Sequence, residues 1–231
     1  MTELVKPNER VDDLLVNGLK IIQNPNAFRF GCDAVELANF VSGGFKDRAV
    51  DLGSGSGIIT ILLAGKKKIP CVGVEIQPEM ADMSRRSIEL NGLTATASVI
   101  CAPMQGIAAR LGRESASIVV CNPPYRKVGS GEKQSSDAVA IARHEIAVTL
   151  REVVTAANEL LKNGGCFYLV HQTERLAEVI AECRGTGLEP KILQILTPSD
   201  GKKPHLFMLK CKKGGATGLE VLHERVIDTV V

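Results

Sequence analysis

At 231 residues, with 45% hydrophobic and 23% charged side chains, the chain is long enough for one full-sized domain and has a soluble protein's composition. No apolar run reaches bilayer length, Met1–Asp13 is too polar for a signal peptide, and the seven cysteines are scattered singly without metal-ligand spacing. The net charge of +2 decides no partner, and the expected setting is a reducing cytoplasm, with no metal and no membrane.

In chain order, a short helix is predicted over Ala34–Val41. Ala49–Leu52 follows as a buried strand and Ile58–Ala64 as a short apolar helix. Cys71–Glu75 is the second strand. The helix Pro78–Leu90 has proline in its first turn and stops at Asn91-Gly92. Val99–Cys101 and Ser117–Cys121 read as strands around a helix Met104–Leu111. His144–Leu161 puts Ile146, Leu150, Val153, Val154, Ala157 and Leu161 on one helical face, ended by Asn163-Gly164-Gly165. Cys166–Val170 is a fifth strand and Glu174–Cys183 a helix. Leu188–Leu196 and His205–Lys210 form a terminal hairpin through Thr197–Pro204. Gly218–Val231 carries no readable pattern. Strands alternating with helices imply an α/β domain over 1–231. It is a doubly wound, mostly parallel seven-stranded sheet, with one antiparallel strand contributed by the C-terminal hairpin.

The loop Val50-Asp51-Leu52-Gly53-Ser54-Gly55-Ser56-Gly57 follows the first strand and opens a helix, where glycine lets a ligand lie against bare peptide. Its GxGxG spacing has Ile58 where the dinucleotide fingerprint needs glycine, and Asp51 has the wrong charge for a pyrophosphate. A carboxylate suits S-adenosylmethionine, which carries a sulfonium and an α-ammonium. Glu75 ends the second strand, about 24 residues after Asp51, and can accept hydrogen bonds from both ribose hydroxyls of a nucleoside cofactor.

Cys121-Asn122-Pro123-Pro124-Tyr125 leaves the fourth strand at the carboxyl edge of the sheet, where ligands bind in this architecture. An exocyclic purine amine or a carboxamide nitrogen is a poor nucleophile, because its lone pair is delocalised, but it carries two N–H donors. The Asn122 side-chain carbonyl and the Pro123 main-chain carbonyl can accept both, and Tyr125 offers a face on which a base stacks. Catalysis is then alignment and electrostatic stabilisation without a covalent intermediate. Directly after this turn, Lys127–Asp137 has the composition of a loop and the position of a lid. Arg126, Lys127 and Lys133, with Lys202 and Lys203 of the terminal hairpin, are candidate phosphate contacts. Between Lys191 and Gly215 there are six lysines against one acid, Asp200, a run that suits either a polyanion or a solvated face.

These motifs resemble the amino-methyltransferases of adenine, cytosine and glutamine. More narrowly, Arg10-Val-Asp-Asp-Leu-Leu, Leu19-Lys-Ile-Ile-Gln, Phe28-Arg-Phe-Gly-Cys-Asp33-Ala-Val-Glu-Leu-Ala and Ile141-Ala-Arg-His-Glu145 resemble the bacterial tRNA(Val) N6-adenine methyltransferase family, of the methyltransferase small domain type. The resemblance implies a Rossmann-like S-adenosylmethionine methyltransferase acting on an adenine beside the anticodon of tRNA. It also implies that residues 1–45 cover the cofactor site, with Gly31 and Asp33 near the methionine part of the cofactor. Asp33 could equally cap the helix Ala34–Val41. Cofactor binding is thus assigned to Gly31, Asp33, Asp51, Gly53, Gly55, Gly57, Glu75, Pro103 and Asn122, and catalysis to Asn122, Pro123 and Tyr125. Such enzymes usually carry an acid after the third strand to hold the adenine amino group. Ala102-Pro103 stands there instead, so adenine must be held by main-chain groups or otherwise. The alternatives are an rRNA base methyltransferase, a glutamine methyltransferase of release factors and a silent cofactor- or RNA-binding module. The second normally needs a helical domain ahead of the catalytic one, and only about 45 residues precede the first strand.

Overall fold

The computed structural model of the protein describes residues 4–24, 31–123 and 148–228. Its elements are β1 (Arg10–Asp13), β2 (Lys20–Gln23), α1 (Cys32–Phe40), β3 (Ala49–Leu52), α2 (Ile58–Ile61), β4 (Cys71–Glu75), α3 (Pro78–Leu90), β5 (Ala97–Cys101), α4 (Ala108–Leu111) and β6 (Ala116–Cys121). They continue with α5 (Leu150–Leu160), β7 (Leu161–Gln172), α6 (Leu176–Gly185), β8 (Leu188–Pro198), β9 (Leu206–Lys213), β10 (Glu220–Val221) and β11 (Arg225–Ile227).

Strands β5-β4-β3-β6-β7-β9-β8 stand side by side in that order, which is the expected seven-stranded sheet. The first five are mutually parallel. Only β9 runs against its neighbours β7 and β8. The C-terminal segment, unreadable as sequence, adds β10 and β11 in parallel along the outer edge of β8. Because helices cover both faces, the central strands β3 and β6 are buried along their whole length rather than alternating. In β6, Ile118 and Val120 face one core, and Val119 and Cys121 face the other.

Several boundaries differ from expectation for identifiable reasons. The helix expected over Met104–Leu111 shrinks to α4, since Gly106 takes a left-handed conformation (φ 70) just ahead of it. The helix expected over Ile58–Ala64 becomes α2 followed by a π-helical turn, Leu62–Lys66. Within the described residues the helix expected from His144 begins at Leu150, after an N-cap at Thr149. The Thr149 side chain and Glu152 close a reciprocal capping box there. The remainder of that expectation, 144–147, lies outside the described residues. Ahead of the sheet, β1 and β2 pair as an antiparallel hairpin that lies on α3. Ile22 N donates to Ser87 Oγ at 2.9 Å, and Lys20 N to Asn91 Oδ1 at 2.8 Å.

Candidate active site

The loop after β3 turns through Gly53 (φ 72), Gly55 (φ 54) and Gly57 (φ 89), all in the left-handed region that favours glycine. Gly53 N and Ser54 N both donate to Val74 O, which ties the loop to β4. The three glycines serve different ends. A Cβ on Gly57 would lie 2.1 Å from Ser84 Oγ and 3.0 Å from Ser84 Cβ, so Gly57 is bare to let α3 pack close. A Cβ on Gly53 or Gly55 would meet only the tips of Met104 and Met80, each at 3.7 Å. Those two positions leave a strip of bare peptide walled by thioether side chains, the kind of cradle an adenosyl group fits. The two methionines carry no motif, and no signal in the sequence singled them out.

Glu75 closes β4 beneath this strip and is 5% exposed. Its Oε2 accepts from Gly55 N at 2.8 Å and its Oε1 from Gln77 N at 2.8 Å. Each carboxylate oxygen accepts more than one hydrogen bond, so these contacts leave capacity for ribose hydroxyls while bracing the loop. Asp51 lies lower and is wholly buried. Its Oδ2 accepts from Thr60 N at 3.2 Å and Thr60 Oγ1 at 2.8 Å. Burial pushes its pKa up to about 7, with the Thr60 hydrogen bonds opposing and the nearby Glu75 adding to the rise.

The turn after β6 opens beside the glycine loop, because Cys121 pairs with Leu52 at the same end of the sheet. Asn122 is half-buried and Pro123 buried. Asn122 Nδ2 donates to Asp33 Oδ2 at 3.0 Å, a contact spanning 89 residues of sequence. Asp33 is therefore not the cap of α1. Gly31 occupies that place without a side-chain cap, and Asp33 lies in the first turn. The pair also explains Gly31, since a Cβ there would fall 2.3 Å from Asp33 Oδ1. The structure thus brings Gly31, Asp33 and Asn122 together beside Gly53, Gly55 and Glu75. Pro103 is exposed just after β5, where Ala102 N donates to Glu75 O at 2.9 Å, so the segment expected to border the adenine lies against the end of β4. With the carboxyl groups of Asp33 and Glu75 beside one loop, the site suits a cationic ligand. Among the described residues no group of His, Cys, Asp or Glu could hold a metal ion.

Tyr125, Arg126, Lys127 and Lys133, with the expected lid, lie outside the described residues. Lys202 and Lys203 are exposed on the turn between β8 and β9. Since β8 runs parallel to β7, that turn opens at the edge of the sheet that carries Asn122. The rest of the lysine run is dispersed. Lys213 Nζ binds Glu114, Asn158 O and Leu161 O, and Lys191 Nζ binds Ala216 O. Among the described residues no helix is long and apolar enough to cross a membrane.

The family model of the methyltransferase small domain matches residues 34–184. The tRNA1(Val) (adenine(37)-N6)-methyltransferase of Aeromonas salmonicida is 25% identical over 190 residues, covering 81% of this chain and 78% of the relative. The enzyme of the same name from Porphyromonas gingivalis is 25% identical over 169 residues, covering 69% of this chain and 64% of the relative. In fold, the chain is similar to a predicted O-methyltransferase from Agrobacterium tumefaciens, with a TM-score of 0.68 and 24% identity over 85% of this chain and 88% of that one. It is also similar to geranyl diphosphate C-methyltransferase from Streptomyces coelicolor, with a TM-score of 0.59 and 13% identity over 79% of this chain and 77% of that one. One fold thus serves transfers named for oxygen and for carbon, and it leaves the acceptor to be argued from the site. The family match spans well over half of the chain and the glycine cradle fits the cofactor: the chain belongs to the methyltransferase small domain family and is an S-adenosylmethionine-dependent methyltransferase.

Proposed function

We propose that the chain methylates N6 of an adenine in tRNA, beside the anticodon. The observation that carries this reading is the Asn122–Asp33 hydrogen bond at the mouth of the glycine loop. With Nδ2 donating to Asp33, the amide is oriented so that Oδ1 is its acceptor end. An acceptor at that place suits a primary amine whose N–H groups must be held while its lone pair is turned to the methyl donor. The relatives named above, tRNA adenine-N6 methyltransferases, supply the acceptor class.

S-adenosylmethionine supplies a methyl group on a positively charged sulfur. Gly53 and Gly55 admit it against bare backbone, Glu75 accepts from its ribose, and Asp33 and Gly31 border its methionine end. Asn122 Oδ1 and the carbonyl of Pro123 accept from the target amine, and Tyr125 stacks on the target base, which must leave its own stack to reach the turn. Residues 1–45 form the cover of this site in the proposal. Their hairpin lies on α3, and Asp33 reaches the turn. Lys202 and Lys203, together with Arg126, Lys127 and Lys133, contact phosphates. A tRNA substrate implies a cytoplasmic enzyme.

The test is incubation with tritiated cofactor and bulk tRNA, ribosomal RNA or release factor, followed by digestion and mass spectrometry. N6-methyladenosine in tRNA is the expected product. Label in ribosomal RNA or on a glutamine would replace the substrate, and methylation of a ring nitrogen or a ribose would sink the mechanism.

A further inference from the structure

Beneath the glycine loop two buried oxygens have no hydrogen-bond partner, Asp51 Oδ1 and Ser54 Oγ. Asp51 sits in β3 between Gly73 of β4 and Val120 of β6. Gly73 makes room for the cluster, since a Cβ there would lie 2.7 Å from Ser54 Oγ and 3.0 Å from Thr60 Oγ1. From α2 the carboxyl receives the two Thr60 hydrogen bonds, both on Oδ2. The titratable groups that interact with it are Glu75 and Cys71 of β4 and Cys121 of β6, all of them acids. Among the described residues no lysine, arginine or histidine pairs with it. A fully buried carboxylate with one bare oxygen and no cation is poorly stabilised as an anion. The missing element is a positive charge, and the cofactor brings one.

We propose that Asp51 reads the charge on the cofactor: its carboxyl holds a proton in the free enzyme, releases it to solvent when the sulfonium binds above the loop, and so sets the affinity for the charged donor above that for the neutral thioether product. The inference rests on the cofactor reading. Methyl transfer converts the sulfonium to a thioether and removes its charge. Asp51 then takes a proton back from solvent, and the product loses the electrostatic part of its hold. The carboxyl acts through the field rather than by touching the reacting atoms, so it is a specificity determinant and not a catalytic residue. Burial that lifts its pKa to about 7 places the exchange within the working range of a cytoplasmic enzyme.

Titration calorimetry with S-adenosylmethionine and S-adenosylhomocysteine provides the test. Between about pH 6 and about pH 8 the wild-type affinity for the donor is expected to rise about tenfold through this group, and that for the product much less. In Asp51→Asn this component vanishes and the donor-to-product affinity ratio falls. The α-ammonium of each ligand titrates identically in wild type and variant, so the comparison isolates Asp51. If Asp51→Asn does not fold, wild-type enzyme titrated in buffers of differing ionisation enthalpy decides the matter. At about pH 6 the donor should release close to one proton more than the product. Thr60→Val removes a donor that favours the ionised form and should move the pH dependence upward. Equal proton release for the two ligands, or the same ratio and slope in Asp51→Asn, overturns the proposal. If neither protein binds either ligand at any pH, the cofactor reading beneath it fails instead.

Discussion

Asn122 and Asp33 meet at 3.0 Å, and that hydrogen bond changes what substitutions there should do. Asn122→Ala removes an oriented acceptor and is expected to lower the methylation rate by about 10²–10³, with cofactor affinity nearly kept. On shape alone Asn122→Asp would be mild. Here it sets two carboxylates against each other, which raises the pKa of one and disrupts the turn. It should therefore be poor by itself and partly rescued in the exchanged pair Asp33→Asn with Asn122→Asp. Single-turnover rates of the four proteins test this, and an active single Asn122→Asp enzyme with no gain in the pair would remove the hydrogen bond from the mechanism. Asp51 yields a prediction on stability. Its ordinary pKa is 3.8, and burial raises it to about 7 in the folded protein. Between about pH 4 and about pH 7 the folded state therefore holds a proton that the unfolded chain has lost. Unfolding releases it, so stability falls as pH rises through that window and levels off above it, by up to about 1.4 kcal/mol per pH unit. Urea midpoints measured across the window should show this component in wild type and lose it in Asp51→Asn.

At the scale of elements, α3 does two tasks. Its start places Gln77 N on Glu75, and its body carries the β1–β2 hairpin. Ser87 is fully buried and accepts from Ile22 N at 2.9 Å. Ser87→Ala leaves that N–H buried without a partner and should cost about 1–3 kcal/mol. Faster hydrogen exchange at Ile22 with little change in the sheet is the expected signature, and uniform loss of protection would mean that the hairpin does not open separately. The ends of α3 were legible because Pro78, Asn91 and Gly92 are local signals. Thr149 and Glu152 are also local signals, but the expected start followed apolar periodicity instead, and within the described residues α5 begins at Leu150 behind that capping box.

Across the whole molecule, parallel strands bring the ends of β3, β4, β6 and β7 to one edge, and the β8–β9 turn joins them there. That places Lys202 and Lys203 on the same side as Asn122. Lys202 is ion-paired with Asp200 at 2.7 Å, so Lys203 is the freer contributor. Replacing both with glutamine should weaken tRNA binding and reduce the slope of log affinity against log salt by about 0.7–0.9 for each phosphate that is no longer neutralised. Cofactor affinity should not change. An unaltered salt slope would return both lysines to the solvated surface.

The alternation of strands and helices, the mostly parallel sheet and the glycine loop were determined by sequence alone, because periodicity, proline and glycine act within a few residues of themselves; the order of the strands in the sheet came from the tertiary structure. The same locality made Glu75 readable as a strand-terminal acid. The partners were beyond it. That Asp33 holds Asn122 and that Met80 and Met104 wall the cradle depend on segments far apart in the chain. The C-terminal strands β10 and β11 gain their form only from the edge of β8. The full burial that raises the Asp51 pKa to about 7 is likewise tertiary, since β4, β6 and α2 together exclude water from its carboxyl.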